Sequence, residues 1–377
     1  MPMNAALRSI RSRRTVFWLI LPLTLGLLGV AAVAYSSPPD GVRGAASGAT
    51  VASGKTKVAP APQVVLSGGG GAVFTEAPTL NVPDVVSTGA LRAISTGAFG
   101  ATDTSAQSLS TIENVNLLNG RIRADLIVAI ASSAGDGAAA ASDSEGSEVV
   151  NLVVDGVPKG NVSGANVGIP IAGGTVIVNE QTLDGDGSSQ SDVAVNALRV
   201  ILRDPWTWAV TDDFKVGSAS SGVTSGAFVP AWGVPQACVF YTGGGRIDRD
   251  PPQSNQDFAT FGFNATMRNT TDCKGPAGQL EYVDHFRGFK FHGTSADIVS
   301  EFDDTEFGGK CAQITGDGRY SLDNGPWTDS TYQAVVCDNG EPGHGRDKFM
   351  IEVAVGYNSL SEGKGPILRG GNIQRHG

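Results

Sequence analysis

Apolar residues in this chain recur at every second position and never settle into helical spacing. Ile122, Ala124, Leu126, Val128 and Ile130 alternate with Arg121, Arg123 and Asp125, the period of a half-buried strand, and the alternation places all five apolar residues on one face. The run 149–154 is a second strand, closed by the tight-turn pair Asp155-Gly156. Residues 175–179 and 193–202 form two more, with a reversing loop at 183–188 between them. The 51 Gly and 19 Pro among 377 residues also oppose helix, because in a helix interior they cost about 1 and about 3 kcal/mol each. The expected fold class is all-β, built as antiparallel sandwiches.

The first 34 residues stand apart. Arg8, Arg11, Arg13 and Arg14, with no acid among them, precede an apolar run at 16–33 interrupted only by Pro22, Thr24 and two glycines. Basic-then-apolar order marks an export signal or a membrane anchor. As a helix the run spans about 27 Å, barely the thickness of a bilayer core, and Ala32-Val33-Ala34 offers a small-x-small cleavage pattern. Cleavage and retention are therefore both open, and the membrane is a partner only if the helix is retained. Ser12-Arg13-Arg14 is similar to a twin-arginine signal, but Val16-Phe17 departs from its pattern. Either way the bulk of the chain is expected outside the cytoplasm, secreted or held at its N-terminus. Its formal charge is −10, and without the four arginines 23 basic residues face 37 acidic ones, a net −14. A nucleic-acid partner is excluded on that balance, since phosphate binding needs clustered Lys and Arg.

Residues 35–75, rich in Gly, Ala, Pro and Ser, read as a disordered linker with too little apolar area to offset ordering entropy. A P-loop-like spacing at Gly48–Lys55 has five residues between its glycines and no strand before it, so it carries nothing. Residues 76–225 hold four aromatics and no Cys or His, whereas 226–377 hold 18 aromatics, all four Cys and all four His. Two sandwich domains joined near the Ser/Gly run 217–226 are expected.

Segments 122–132, 151–156, 174–181 and 195–200, above all Asn179-Glu180-Gln181 and Val195-Asn196-Ala197-Leu198, resemble the choice-of-anchor P family of bacterial surface proteins. The likeness covers about 85–210. Gly243-Gly244-Gly245-Arg246-Ile247, Phe261-Gly262-Phe263-Asn264, residues 280–285 and 338–343, and the closing Gly370-Gly371-Asn372-Ile373-Gln374 are similar to the small β-domain that commonly follows such segments. The resemblance implies an exported surface protein and no enzymatic activity. The chain ends without a sortase motif or an apolar tail, so any anchoring falls to the N-terminal helix.

Four cysteines beyond an export segment suggest disulfides. Cys311 and Cys337 flank the arms of a hairpin turning through residues 323–326, which leaves Cys238 with Cys273; no Cys-x-x-Cys pair favours zinc. No Gly-x-Ser-x-Gly or His-Glu-x-x-His motif is present. His285 and His292 fall on opposite faces of an unbroken strand, joined only if Gly288 makes a bulge. Glycosidase acids could be drawn from Asp284, Glu301, Asp303, Asp304 and Glu306, although a run of exposed loop acids accounts for them more simply. No cofactor is expected beyond calcium, for which Asp184, Asp186, Ser188 and Asp192 in one loop, and Asp338, Asn339, Glu341 and Asp347 in another, cluster oxygen ligands. The function read from these features is that of a non-catalytic cell-surface or secreted interaction module with an envelope or extracellular partner. The alternative is an adhesive module that stacks glycans on Trp206, Trp208, Trp232 or Trp327, and a secreted hydrolase ranks last.

Overall fold

The computed structural model describes residues 41–54, 56–100, 103–224, 239–267 and 278–377. The N-terminal apolar run, Trp232, Cys238 and Cys273 lie outside them. Among the described residues there is no helix, and none long and apolar enough to cross a membrane.

The first part contains β1 (Val42–Ser53), β2 (Thr56–Val65), β3 (Gly71–Ala77), β4 (Asn81–Val82), β5 (Val86–Ser87), β6 (Leu91–Phe99), β7 (Thr104–Leu117) and β8 (Ile122–Gly135). It continues with β9 (Ala140–Asp143), β10 (Glu148–Val154), β11 (Val157–Val162), β12 (Val167–Ile171), β13 (Gly174–Gly185), β14 (Gln190–Arg203) and β15 (Val210–Thr224). One sheet has the order β12-β13-β14-β15-β1-β2; the other centres on β11-β10-β8-β7, with β6, β3, β5-β4 and β9 joined to β7 and β8. The main apolar core between them includes Ile112, Ile127, Val149, Val178, Leu198 and Phe214, with smaller clusters around Val42 and Ala46.

Two expectations are corrected here. Residues 42–53 and 56–65, assigned above to a linker, are strands, and β1 lies inside its sheet between β15 and β2. Likewise residues 217–224, where the composition predicts an interdomain joint, belong to β15. Small side chains misled the sequence reading because at these positions they permit close backbone approach: a Cβ on Gly48 would stand 2.7 Å from the Ala61 carbonyl oxygen.

The alternation in β8 also switches faces. Ile122, Ala124, Ile127 and Ala129 point into the core between the sheets, while Leu126, Val128 and Ile130 point out of it. Asn114 and Asn151, flanking Asp125 on the neighbouring strands, have φ of +50° and +52°, and Asn151 Nδ2 donates to Asp125 Oδ2 at 2.7 Å. Left-handed residues break the two-residue repeat. The facing sheet has a similar row: Asn179 (φ +48°), Ala197, Gly217 (φ +72°) and Gly48 drop out of the pairing across β13, β14, β15 and β1.

The second part comprises β16 (Phe240–Arg249), β17 (Phe258–Thr266), β18 (Gln279–Asp284), β19 (Phe289–Gly293), β20 (Asp297–Asp303), β21 (Lys310–Leu322), β22 (Thr328–Asp338), β23 (Lys348–Val353), β24 (Tyr357–Asn358) and β25 (Lys364–His376). A second sandwich was expected, and the structure replaces it with a barrel. Strands β16-β25-β23-β22-β21-β19-β18-β17 pair in that order, and β17 pairs with β16 to close an eight-stranded ring. Eight strands leave an interior just wide enough for side chains. Aromatic rings fill it, with Phe261 stacked on Phe349 at 3.8 Å and Phe289 on Tyr357 at 3.9 Å between centroids.

All described residues belong to one compact unit. The barrel wall lies on the outer face of the β8-containing sheet, where Ile94, Leu109, Leu126, Val128, Ile130 and Val150 meet Phe258. That contact explains why β6, β7 and most of β8 are buried on both faces. Glycines make it possible, since a Cβ on Gly262 would stand 2.6 Å from Ile94 and one on Gly370 2.0 Å from the Glu145 carbonyl oxygen. Polar ties cross the same contact: Ser105 Oγ lies 2.9 Å from Thr242 Oγ1, and Arg246 donates to Glu148 at 2.7 Å.

Candidate functional site

The β14–β15 connection, Asp204-Pro205-Trp206-Thr207-Trp208, is a hydrogen-bonded turn carrying the most exposed aromatics among the described residues. Asp204 Oδ1 accepts the backbone N–H of Trp206 and Thr207 and the Thr207 hydroxyl at 2.7–3.0 Å, which holds its carboxyl below the usual range. The Trp208 N–H donates to the Asp204 carbonyl, and the Asp204 N–H to the Ala209 carbonyl. Trp206 is 90% exposed and Trp208 73% exposed.

The same turn recurs between β20 and β21. There Glu306 N–H donates to Asp304 Oδ1, Gly308 N–H to the Asp304 carbonyl, and Asp304 N–H to the Gly309 carbonyl. The residue equivalent to Trp208 is Gly308, with φ +78°. Trp208 holds φ +58°, a left-handed conformation that costs a bulky L-residue about 1–2 kcal/mol. One turn thus uses glycine where geometry asks for it, and the other keeps a strained tryptophan exposed to solvent.

The remaining aromatic candidate, Trp327, is 36% exposed and lies over the Arg319 guanidinium at 5.1 Å.

The first calcium loop does not gather its acids. Asp186 accepts N–H from Ser188, Ser189 and Gln190, and the Ser189 hydroxyl first, then these N–H groups, hold it low. Asp184 caps Gly185 N–H, and Asp192 forms a two-pronged pair with Arg43. In the second loop Asp338 accepts from Gly340 and Arg375 N–H, and Asp347 from Asn339 and Ile373 N–H. Glu341 sits at the surface but turns its carboxylate onto Asn372 Nδ2, and desolvation there, with Asp338, Asp143 and Asp103 near, pushes it up to about 8. Asp338 and Asp347 are thus engaged by backbone donors and Glu341 by a side-chain amide, while the buried Asn339 Oδ1 accepts no hydrogen bond among the described residues.

Each hydrolase candidate likewise has its own partner. Glu301 accepts from Tyr241 and Arg375, Asp303 pairs with Lys310, and Asp304 and Glu306 share Lys348. Asp284 belongs to a group at one barrel end that the sequence reading missed. Lys364, fully buried, pairs with Asp257 at 2.5 Å and Asp284 at 3.3 Å, and Tyr357 donates to Asp284 at 2.8 Å. Nothing in spacing marks this cluster, because its members come from β18, β24, β25 and the β16–β17 connection.

His285 and His292 occupy a hairpin rather than one strand, and each faces a different neighbour. His285 bonds Thr260 at 3.0 Å and packs on Phe258; burial first, then the charges of Arg92 and Arg246, hold it well below its ordinary pKa. His292 pairs with Glu281 and packs against Phe74 of β3. Burial pushes Glu281 up to about 7, and the bond to Glu281 raises His292. His376, also unanticipated, joins Asp103 and Ser105 across the contact between the two parts.

Cys311 and Cys337 face each other across β21 and β22 and are joined by a disulfide. Asp304 lies close enough to share a metal with them, but sulfurs bonded to each other offer no thiolate. No known family model, curated protein or solved structure matches the chain.

Proposed function

We propose that the protein is an exported, non-catalytic interaction module that holds carbohydrate on Trp206 and Trp208. The observation that carries this reading is Trp208 in a left-handed turn position that its counterpart gives to glycine. Strain of this kind clusters at binding and catalytic sites. Two exposed indoles offer flat apolar faces with polar edges, suited to the C–H face of a pyranose ring. The acidic balance of the chain opposes an anionic lipid surface, which recruits Lys and Arg, and leaves an uncharged partner as the better match. The basic-then-apolar N-terminus and the likeness to choice-of-anchor P proteins support the exported, surface-bound setting. The pairing of each candidate catalytic acid with a cation or a tyrosine supports a non-catalytic role.

Glycan-array binding followed by calorimetry tests the reading. Trp206→Ala is expected to weaken binding at least tenfold. Trp208→Gly is expected to abolish binding while raising stability by up to about 1 kcal/mol, since glycine relieves the left-handed strain at some entropic cost. An array without hits, or a Trp206→Ala protein that binds as the parent does, would remove the carbohydrate assignment.

A further inference from the structure

A groove of about 460 Å³ runs along the outside of the barrel, lined by Thr294, Asp317, Arg319, Asp329, Ser330 and Thr331. Strand register builds it. Asp317 pairs with Thr331 and Arg319 with Asp329 across β21 and β22, while Gly318 between them turns inward beneath Phe291. Its end is pinned where Thr294 and Ser295 N–H donate to the Asp317 carbonyl and Ser295 Oγ accepts from Asp317 N–H.

Two features separate this groove from an ordinary polar barrel face. Arg319 stands directly opposite Asp329, yet its guanidinium lies over Trp327 and forms no ion pair with that carboxylate. Among the described residues, neither the Asp317 nor the Asp329 carboxylate has a hydrogen bond or ion pair, whereas most other carboxylates on this barrel are engaged. The groove thus brings together the Arg319 guanidinium, two free carboxylates and the hydroxyls of Thr294, Ser330 and Thr331, with Trp327 packed on Arg319 beside it.

We propose that this groove is a second binding site, independent of the tryptophan turn, and that it takes a neutral polyhydroxy ligand of saccharide type. Charge decides the class. A cation would meet Arg319, an anion would meet Asp317 and Asp329, and an uncharged ligand with several hydroxyls can donate to both carboxylates while accepting from the guanidinium. The volume of about 460 Å³ leaves room for a small ligand, and Trp327 holds the Arg319 guanidinium from outside the lining.

The test uses the chain with Trp206→Ala and Trp208→Gly in place, so that only the groove is read, and titrates neutral mono- and disaccharides, a uronic acid and oligolysine by saturation-transfer NMR and calorimetry. Binding of a neutral saccharide, weakened about tenfold or more by Asp317→Asn and by Asp329→Asn, supports the site, because a hydrogen bond to a charged group is lost in each. The melting temperature of both variants is expected to match that of the parent, as neither carboxylate is bonded within the fold. Binding of oligolysine or the uronic acid alone, no saccharide binding, or saccharide binding untouched by both substitutions would each overturn it. Failure here leaves the tryptophan-turn reading standing, since that site is absent from the tested chain.

Discussion

The layered part and the barrel fill their interiors with opposite kinds of residue. Between the two sheets the core is Val, Ile, Leu and Ala with Phe214, whereas the barrel interior contains Phe261, Phe263, Phe289, Phe291, Phe349, Tyr241, Tyr282, Tyr332 and Tyr357. Facing sheets can approach until small side chains touch, and rows of left-handed Asn and Gly adjust which residues meet. A closed ring of eight strands has its radius set by strand number and tilt, so only large side chains can reach its axis. The aromatic contrast along the sequence therefore reports a difference in closure, not a difference between two sandwiches.

Substitutions at three positions would break or sharpen that contrast. Phe349→Ala should have the largest effect, about 3–5 kcal/mol, because its ring stacks between Phe261 and Tyr282 and a closed wall cannot collapse onto the cavity. Urea unfolding would measure it, and a loss below 1 kcal/mol would mean that the ring adjusts as freely as facing sheets do. Asn179→Ala should cost about 2 kcal/mol from the left-handed position together with the lost bond from Nδ2 to the Ser147 carbonyl at 3.0 Å. Asn179→Gly should recover the backbone share alone. If alanine proves neutral, the kink row does not set the sheet-to-sheet packing.

The smallest effect probes the contact between the two parts. His285 is neutral when folded and has a depressed pKa, so its contribution is complete above the unfolded value near 6.5 and is lost as pH falls below it. Stability should then decline by up to about 1.4 kcal/mol per pH unit relative to His285→Gln, which lacks the titrating ring. Glu281, raised to about 7, and Glu341, raised to about 8, act in the other direction, since their folded forms hold protons that the unfolded chain releases. The comparison with His285→Gln cancels these shared terms. Equal pH profiles for the two proteins would show that His285 is not buried uncharged at the contact.

Much of the local structure was legible. Asp155-Gly156 turns with φ of +48° and +77°, and the hairpin through Asp323 and Asn324 brings Cys311 to Cys337 as the spacing implied. The exposed Trp206 and Trp208 were among the named candidates, although only the positive φ of Trp208 distinguishes that turn. Less legible were β1 and β2, because Gly, Ala and Ser in a crowded interior strand have the composition of a flexible linker. The Asp317–Asp329 groove left no motif, since its residues are brought together by register between two strands.

By itself the sequence determined the strand-forming class, the turn positions and the cysteine-bearing hairpin, because these depend on contacts within a few residues or across one hairpin. Tertiary structure alone decided that β17 returns to β16, that β1 enters the middle of a sheet, and that the barrel covers Leu126, Val128 and Ile130. Those outcomes depend on which distant backbones can approach one another, and a pattern of period two is the same whether the second face meets water or another wall of the protein.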